Sequence, residues 1–111
     1  SFRVDLLETA DLRMPGRSLQ TVQVVDLSGT GFGFHARDAM TVDTTGHVTL
    51  PFGIPRLDLP FVVRVVRTDG HRRYVGCEFV ELTAQQEDAV VREVFAEQRR
   101  QLRNLRGGAG A

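Results

Sequence analysis

The chain has 111 residues, 41% of them apolar and 25% charged, a composition that suits one soluble globular domain with a single core. Its 14 basic and 14 acidic residues cancel, so no net field draws it to long nucleic acid or to an anionic membrane surface. The single cysteine, Cys77, excludes an internal disulfide and any cysteine-based zinc cluster, and the best apolar run, Phe61 to Val66, is broken by Arg64 and far short of the roughly 20 residues that span a bilayer.

Phe2 to Met14 reads as a first strand and Ser18 to Val25 as its hairpin partner. Pro15-Gly16 joins them, with proline pre-setting φ and glycine accepting a positive value. Thr30 to His35 is a third strand, with Phe32 and Phe34 on one face and Gly31 and Gly33 on the other. Gly46 to Phe52 gives a fourth. Pro51, Pro55 and Pro60 then bend the chain and disfavour a central strand position, which places the fifth strand at Phe61 to Arg67. Asp69-Gly70 turns the chain back into a sixth strand, Arg72 to Val80. Six short antiparallel strands predict an all-β fold, a small closed or nearly closed β-barrel.

Thr83 followed by Gln86 fits a capping box, and Val90, Val91, Val94, Phe95, Leu102 and Leu105 recur at helical spacing. A C-terminal helix is expected over about residues 84–106, its first half packed on the barrel. Residues 1–106 then form one domain, and 107–111 a flexible tail.

The most informative stretch is Asp26-Leu27-Ser28-Gly29-Thr30-Gly31. It puts a carboxylate, a hydroxyl and two glycines at a joint between strands, since Val22, Val24 and Val25 precede it and Phe32 and Phe34 follow. Glycine permits close approach of a ligand to the backbone, and the combination suits a polar, phosphate-bearing ligand. The same side chains can instead satisfy backbone groups in an Asx-type turn. Every basic residue is an arginine, a planar fork suited to phosphate or to a guanine edge.

No catalytic constellation is apparent. Asp26 takes the first glycine position of a Gly-x-Ser-x-Gly elbow, and strand follows Gly29-Thr30-Gly31-Phe32-Gly33 where a dinucleotide fingerprint needs a helix. There is no lysine for a Walker motif. His35, His47 and His71 share no metal-ligand spacing. The expectation is a protein without enzymatic activity, metal or cofactor.

The pattern Asp-x-Ser-x-x-Gly at Asp26, Ser28 and Gly31 resembles the second signature of PilZ domains, bacterial receptors for the dinucleotide messenger cyclic di-GMP. The likeness covers nearly the whole chain. It continues through a β-rich middle, the Val75-Gly76-Cys77-Glu78-Phe79 strand, and a final helix ending Gln98 to Arg106 that looks like the flagellar-brake branch. By this resemblance Asp26 would accept the N1–H and N2–H donors of a guanine, Ser28 would meet a phosphate oxygen, and Gly31 and Gly76 would leave room for the ligand.

PilZ domains carry another signature, Arg-x-x-x-Arg, just before the first strand. Arg13 and Arg17 have that spacing, but they flank Pro15-Gly16 at the hairpin tip, and Asp26 lies roughly 30 Å farther along an extended strand. If the hairpin is symmetric about Pro15-Gly16, opposed positions sum to 31 and Arg3 faces Ser28. Arg3 then aligns with the second arginine of the signature, and the first would fall before Ser1, so the sequence is expected to begin inside the motif.

The resemblance implies a cytoplasmic cyclic di-GMP receptor that couples nucleotide binding to a partner protein, in this branch a flagellar motor component. The alternative is a PilZ-like adaptor that binds protein and no nucleotide. A barrel for single-stranded nucleic acid would need exposed aromatics along a basic groove, whereas Tyr74 is the only tyrosine and tryptophan is absent.

Overall fold

Six strands follow in chain order: β1 (Arg3–Arg13), β2 (Gln20–Ser28), β3 (Gly31–Ala36), β4 (Thr45–Thr49), β5 (Asp58–Asp69) and β6 (Arg72–Phe79). A helix, α1 (Ala84–Gly110), completes the chain. The computed structural model describes residues 2–110. The strands pair antiparallel in the order β1-β2-β3-β6-β5-β4, and β4 returns to β1, closing the sheet into a barrel. The predicted all-β class with a C-terminal helix is thus the observed one.

Alternation sends one set of side chains inward. Val4 and Leu12, Val24 and Leu27, Phe32 and Phe34, Leu59, Phe61 and Val63, and Val75 are all buried. Phe32 joins these layers, edge-on to Phe61 at 5.3 Å between ring centroids and stacked with Phe79 at 5.6 Å. Cys77 is buried too, and burial first, then the charge of Asp26, pushes its thiol up to about 12, which leaves it inert.

At the first hairpin Gly16 adopts a φ of 75°, and the Arg17 N–H donates to Met14 O at 3.1 Å. The hairpin is not symmetric about this turn: Leu12 faces Gln20, a sum of 32. A bulge between Asp5 and Glu8 then adds one residue to β1, and beyond it Arg3 does face Ser28. The symmetric hairpin therefore finds the right partner because two one-residue offsets cancel.

The fifth strand starts earlier than the prolines suggest. Pro60 lies inside β5, opposite His47 of β4, and its carbonyl accepts the Val80 N–H at 3.1 Å. Proline lacks only the donor, so its acceptor still serves the sheet.

Helix α1 opens on the full reciprocal box. Gln86 N–H donates to Thr83 Oγ1 at 3.1 Å, and Thr83 N–H donates to Gln86 Oε1 at 3.0 Å. Val90 and Val94 are buried against the barrel, whereas Val91, Phe95, Leu102 and Leu105 stay exposed. The helix also holds the start of β1: Phe2 stacks on Phe95 at 6.5 Å, and Gln101 Nε2 donates to Asp5 O at 2.7 Å. It continues past the expected end at 106 to Gly110, while Ala111, the last residue of the expected tail, lies outside the described residues. No helix among the described residues is long and apolar enough to cross a membrane.

Thr83→Ala removes one half of the box and leaves the Gln86 N–H without its acceptor. Urea unfolding is expected to show a loss of about 0.5–2 kcal/mol. An unchanged midpoint would mean that the cap contributes nothing in solution.

Candidate functional site

One row of residues crosses the barrel wall. Asp5 faces Asp26, Asp26 faces Gly33, Gly33 faces Gly76, and Gly76 faces Val65. Three strands carry an irregularity along this row: β1 between Asp5 and Glu8, β2 between Val24 and Asp26, and β5 between Val63 and Val65. The β2 bulge matters most. Val22 and Val24 point inward, and strict alternation would turn Asp26 inward as well. The extra residue, Val25, resets the phase, so Leu27 takes the core position and Asp26 faces out.

Asp26 Oδ2 accepts a hydrogen bond from the Tyr74 hydroxyl at 2.8 Å. Its other oxygen, Oδ1, is buried without a hydrogen-bond partner, and Arg3 Nε lies 3.9 Å from it. Among the described residues no other buried side-chain nitrogen or oxygen is left unpartnered. Burial, the hydrogen bond to Asp26 and the charge of Asp26 push the Tyr74 hydroxyl up to about 12, with Arg3 and Arg67 pulling the other way. The Arg67 guanidinium sits over the Tyr74 ring, 4.2 Å from its centroid.

Ser28 has the local role that its residue type allows. Its Oγ accepts the Gly31 N–H at 3.2 Å and the Thr30 N–H at 3.3 Å, closing the turn between β2 and β3. Asp26 makes no such turn. The two glycines of the expected site also differ. A Cβ on Gly31 would overlap the Cys77 carbonyl oxygen, so the closeness of β3 and β6 itself requires glycine there. A Cβ on Gly76 would meet Tyr74 and Val65 at an ordinary 3.4 Å, so the missing side chain is space left open and not a packing necessity.

Arg3, Ser28, Gly31 and Gly76 line one cavity of about 240 Å³ on the outer barrel wall, together with Arg64 and Arg67. Asp26 borders it through Arg3 and Tyr74. Arg64 is shared between Glu78 at 3.5 Å and Asp43 at 3.4 Å, exposed pairs that hold it weakly. A wider groove of about 850 Å³ lies at the other end of the same strands, lined by Gln23, His35, Arg37, His71 and Arg72 among others. The chemistry favours the smaller cavity, because two of its lining residues, Arg3 and Tyr74, contact Asp26, whose Oδ1 has no hydrogen-bond partner. Arg13 and Arg17 are elsewhere: Arg13 grips Asp58 with contacts of 2.6 and 2.8 Å, and Arg17 donates to Ala39 O at 3.2 Å. No cluster of histidine, cysteine and carboxylates able to hold a metal occurs among the described residues.

The family model described as PilZ domain matches residues 1–96. The chain belongs to the PilZ domain family. Among solved structures, the PilZ domain of YcgR from Escherichia coli, solved with c-di-GMP, superposes with a TM-score of 0.79 at 14% identity, covering 94% of each chain. The Bacillus subtilis inhibitor of motility MotI/DgrA gives a TM-score of 0.73 at 16% identity, covering 88% of this chain and 49% of that one. A tetrameric PilZ protein from Xanthomonas campestris, self-assembled through a helical bundle, gives 0.62 at 29% identity, covering 78% of this chain and 49% of its own. This PilZ domain thus spans about half the length of the Bacillus and Xanthomonas proteins. No curated relative matches the sequence.

Tyr74 is missed by sequence reasoning as a site residue, since nothing in its neighbourhood along the chain marks it as a partner of Asp26. It is also the only tyrosine, with no tryptophan present, so near-ultraviolet absorbance reports its ionisation alone. A hydroxyl raised from 10.0 to about 12 contributes stability that is complete below pH 10 and is lost as pH rises through about 12. In Asp26→Asn the titration should move down from the wild-type value yet stay above 10.0, because burial, the largest cause, persists. A midpoint unmoved by this substitution would show that the bond is absent in solution. The glycines give a second test: Gly31→Ala should cost about 1–3 kcal/mol in unfolding measurements, and Gly76→Ala much less.

Proposed function

We propose that this PilZ domain is a cyclic di-GMP receptor, and that nucleotide bound across Arg3, Asp26, Ser28, Gly31 and Gly76 controls its engagement of a partner protein. The observation that carries this reading is the buried, unpartnered Asp26 Oδ1. A buried acceptor left without a donor is costly, and the N1–H and N2–H edge of guanine supplies donors to a carboxylate. Arg3 Nε lies 3.9 Å from that oxygen, beyond hydrogen-bond distance, and its side chain is 63% exposed. Its guanidinium then takes a phosphate while the base takes Asp26. The bare glycine wall gives the ligand a surface to lie against. The reading needs binding and no reaction.

The PilZ domain of YcgR was solved with c-di-GMP, which supports the choice of ligand. The likeness to an inhibitor of motility supports a place in motility control; a flagellar motor component as partner and the cytoplasm as the compartment complete this reading. The second reading is an adaptor that binds protein without nucleotide. It is favoured by the exposed Val91, Phe95, Leu102 and Leu105 on α1, an apolar face that docks protein whatever occupies the cavity.

Calorimetric titration of cyclic di-GMP decides between the two. Saturable binding is expected, with Asp26→Ala weakening it by at least about tenfold and leaving the fold intact. Arg13→Ala and Arg17→Ala are the controls and should leave affinity unchanged. No heat from the folded wild-type chain would overturn the receptor and leave the adaptor.

A further inference from the structure

Tyr74 lines the candidate cavity and also holds Asp26 behind it, and its geometry has two parts. The first is a slot. A Cβ on Gly33 would overlap the Tyr74 hydroxyl and come within 2.6 Å of two ring carbons, so the ring occupies space that exists only because residue 33 is glycine. Arg67, its guanidinium 4.2 Å from the ring centroid, covers one face of the ring. The second part is the bond from that seated ring to Asp26 Oδ2 at 2.8 Å.

An aspartate carboxylate rotates in a broad, roughly two-fold well about its last torsion. One donor fixed in space restricts that rotation and sets the plane of both oxygens. Each carboxylate oxygen accepts two hydrogen bonds, so Oδ2 has capacity for a second donor while Oδ1 has no hydrogen-bond partner at all. Two parallel donors on a flat ligand edge can be met together only if the carboxylate lies in the plane of that edge.

We propose that Tyr74 is a positioning residue: seated in the slot left by Gly33, it sets the plane of the Asp26 carboxylate so that the site reads a two-donor purine edge and prefers guanine to hypoxanthine, which lacks the 2-amino group. This inference rests on the cyclic di-GMP reading. Phosphate contacts from Arg3 do not depend on Tyr74. Its loss therefore reduces base discrimination more than it reduces dinucleotide binding as such.

The test compares cyclic di-GMP with cyclic di-IMP, its hypoxanthine counterpart, by calorimetry on the wild-type chain and on Tyr74→Phe. Phenylalanine keeps the ring in the slot and removes only the hydroxyl. The wild type is expected to prefer cyclic di-GMP by about tenfold, and Tyr74→Phe to lose most of that preference, chiefly through weaker cyclic di-GMP binding. Gly33→Ala, which forces the ring out of its slot, should show the same loss of preference. Equal weakening of both ligands in Tyr74→Phe would mean a merely structural role, and an unchanged preference would mean none; either overturns the inference and leaves the receptor standing. A wild-type chain that binds neither dinucleotide overturns the receptor and the inference together.

Discussion

A β-strand deals its residues alternately to two faces, and that constraint makes a carboxylate in the middle of a valine-rich strand a problem. Between Val24 and Leu27 the chain resolves it with one extra residue. Val25 absorbs the change of phase, the core keeps both of its apolar neighbours, and Asp26 is delivered to the outer wall. Were β2 regular from Val22 onward, either Leu27 would leave the core or the carboxylate would enter it, and neither is compatible with this barrel. The cavity, the tyrosine bond and the loose arginine contact all follow from that one irregularity.

Around the redirected carboxylate the wall is defined by what it lacks. Gly31, Gly33 and Gly76 are neighbours across β3 and β6, and each is bare for its own reason. Gly31 yields to the backbone of β6, Gly33 yields to the ring of Tyr74, and Gly76 yields to nothing in the folded chain. That difference separates packing from ligand space more sharply than the shared residue type does. Arg64 at the rim is held by exposed contacts that cost little to break, and Arg3, itself exposed, meets the buried Asp26 oxygen only at 3.9 Å. A glycine-lined floor with exposed arginines beside it has the shape and charge to suit a planar, phosphate-bearing guest.

Much of the barrel was legible because alternation and turn chemistry are local. Pro15-Gly16, Asp69-Gly70 and the Thr83/Gln86 cap each act within a few residues. The bulges were not legible in the same way, although two of them coincide with doubled apolar residues, Leu6-Leu7 and Val24-Val25, where alternation visibly breaks. Pro60 sits inside β5 against the sequence expectation because proline lacks the donor yet keeps the acceptor that Val80 uses. Asp26 was legible as a site candidate from its motif. Tyr74 was not, because its partner is 48 residues away and only the closure of β3 on β6 brings them together.

Arg3 stands between two residues that helix α1 holds, Phe2 through the ring of Phe95 and Asp5 through the amide of Gln101. The first residues of β1 are therefore a lever with its fulcrum on the helix and its working end over Asp26. A partner that pulls α1 from the barrel loosens the backbone on both sides of Arg3, and a ligand that fixes Arg3 makes the helix harder to lift. By reciprocity, the free energy transmitted in one direction equals that transmitted in the other. If the proposed ligand and partner use these two surfaces, a strand end only a few residues long would join them, with no need for the barrel itself to deform.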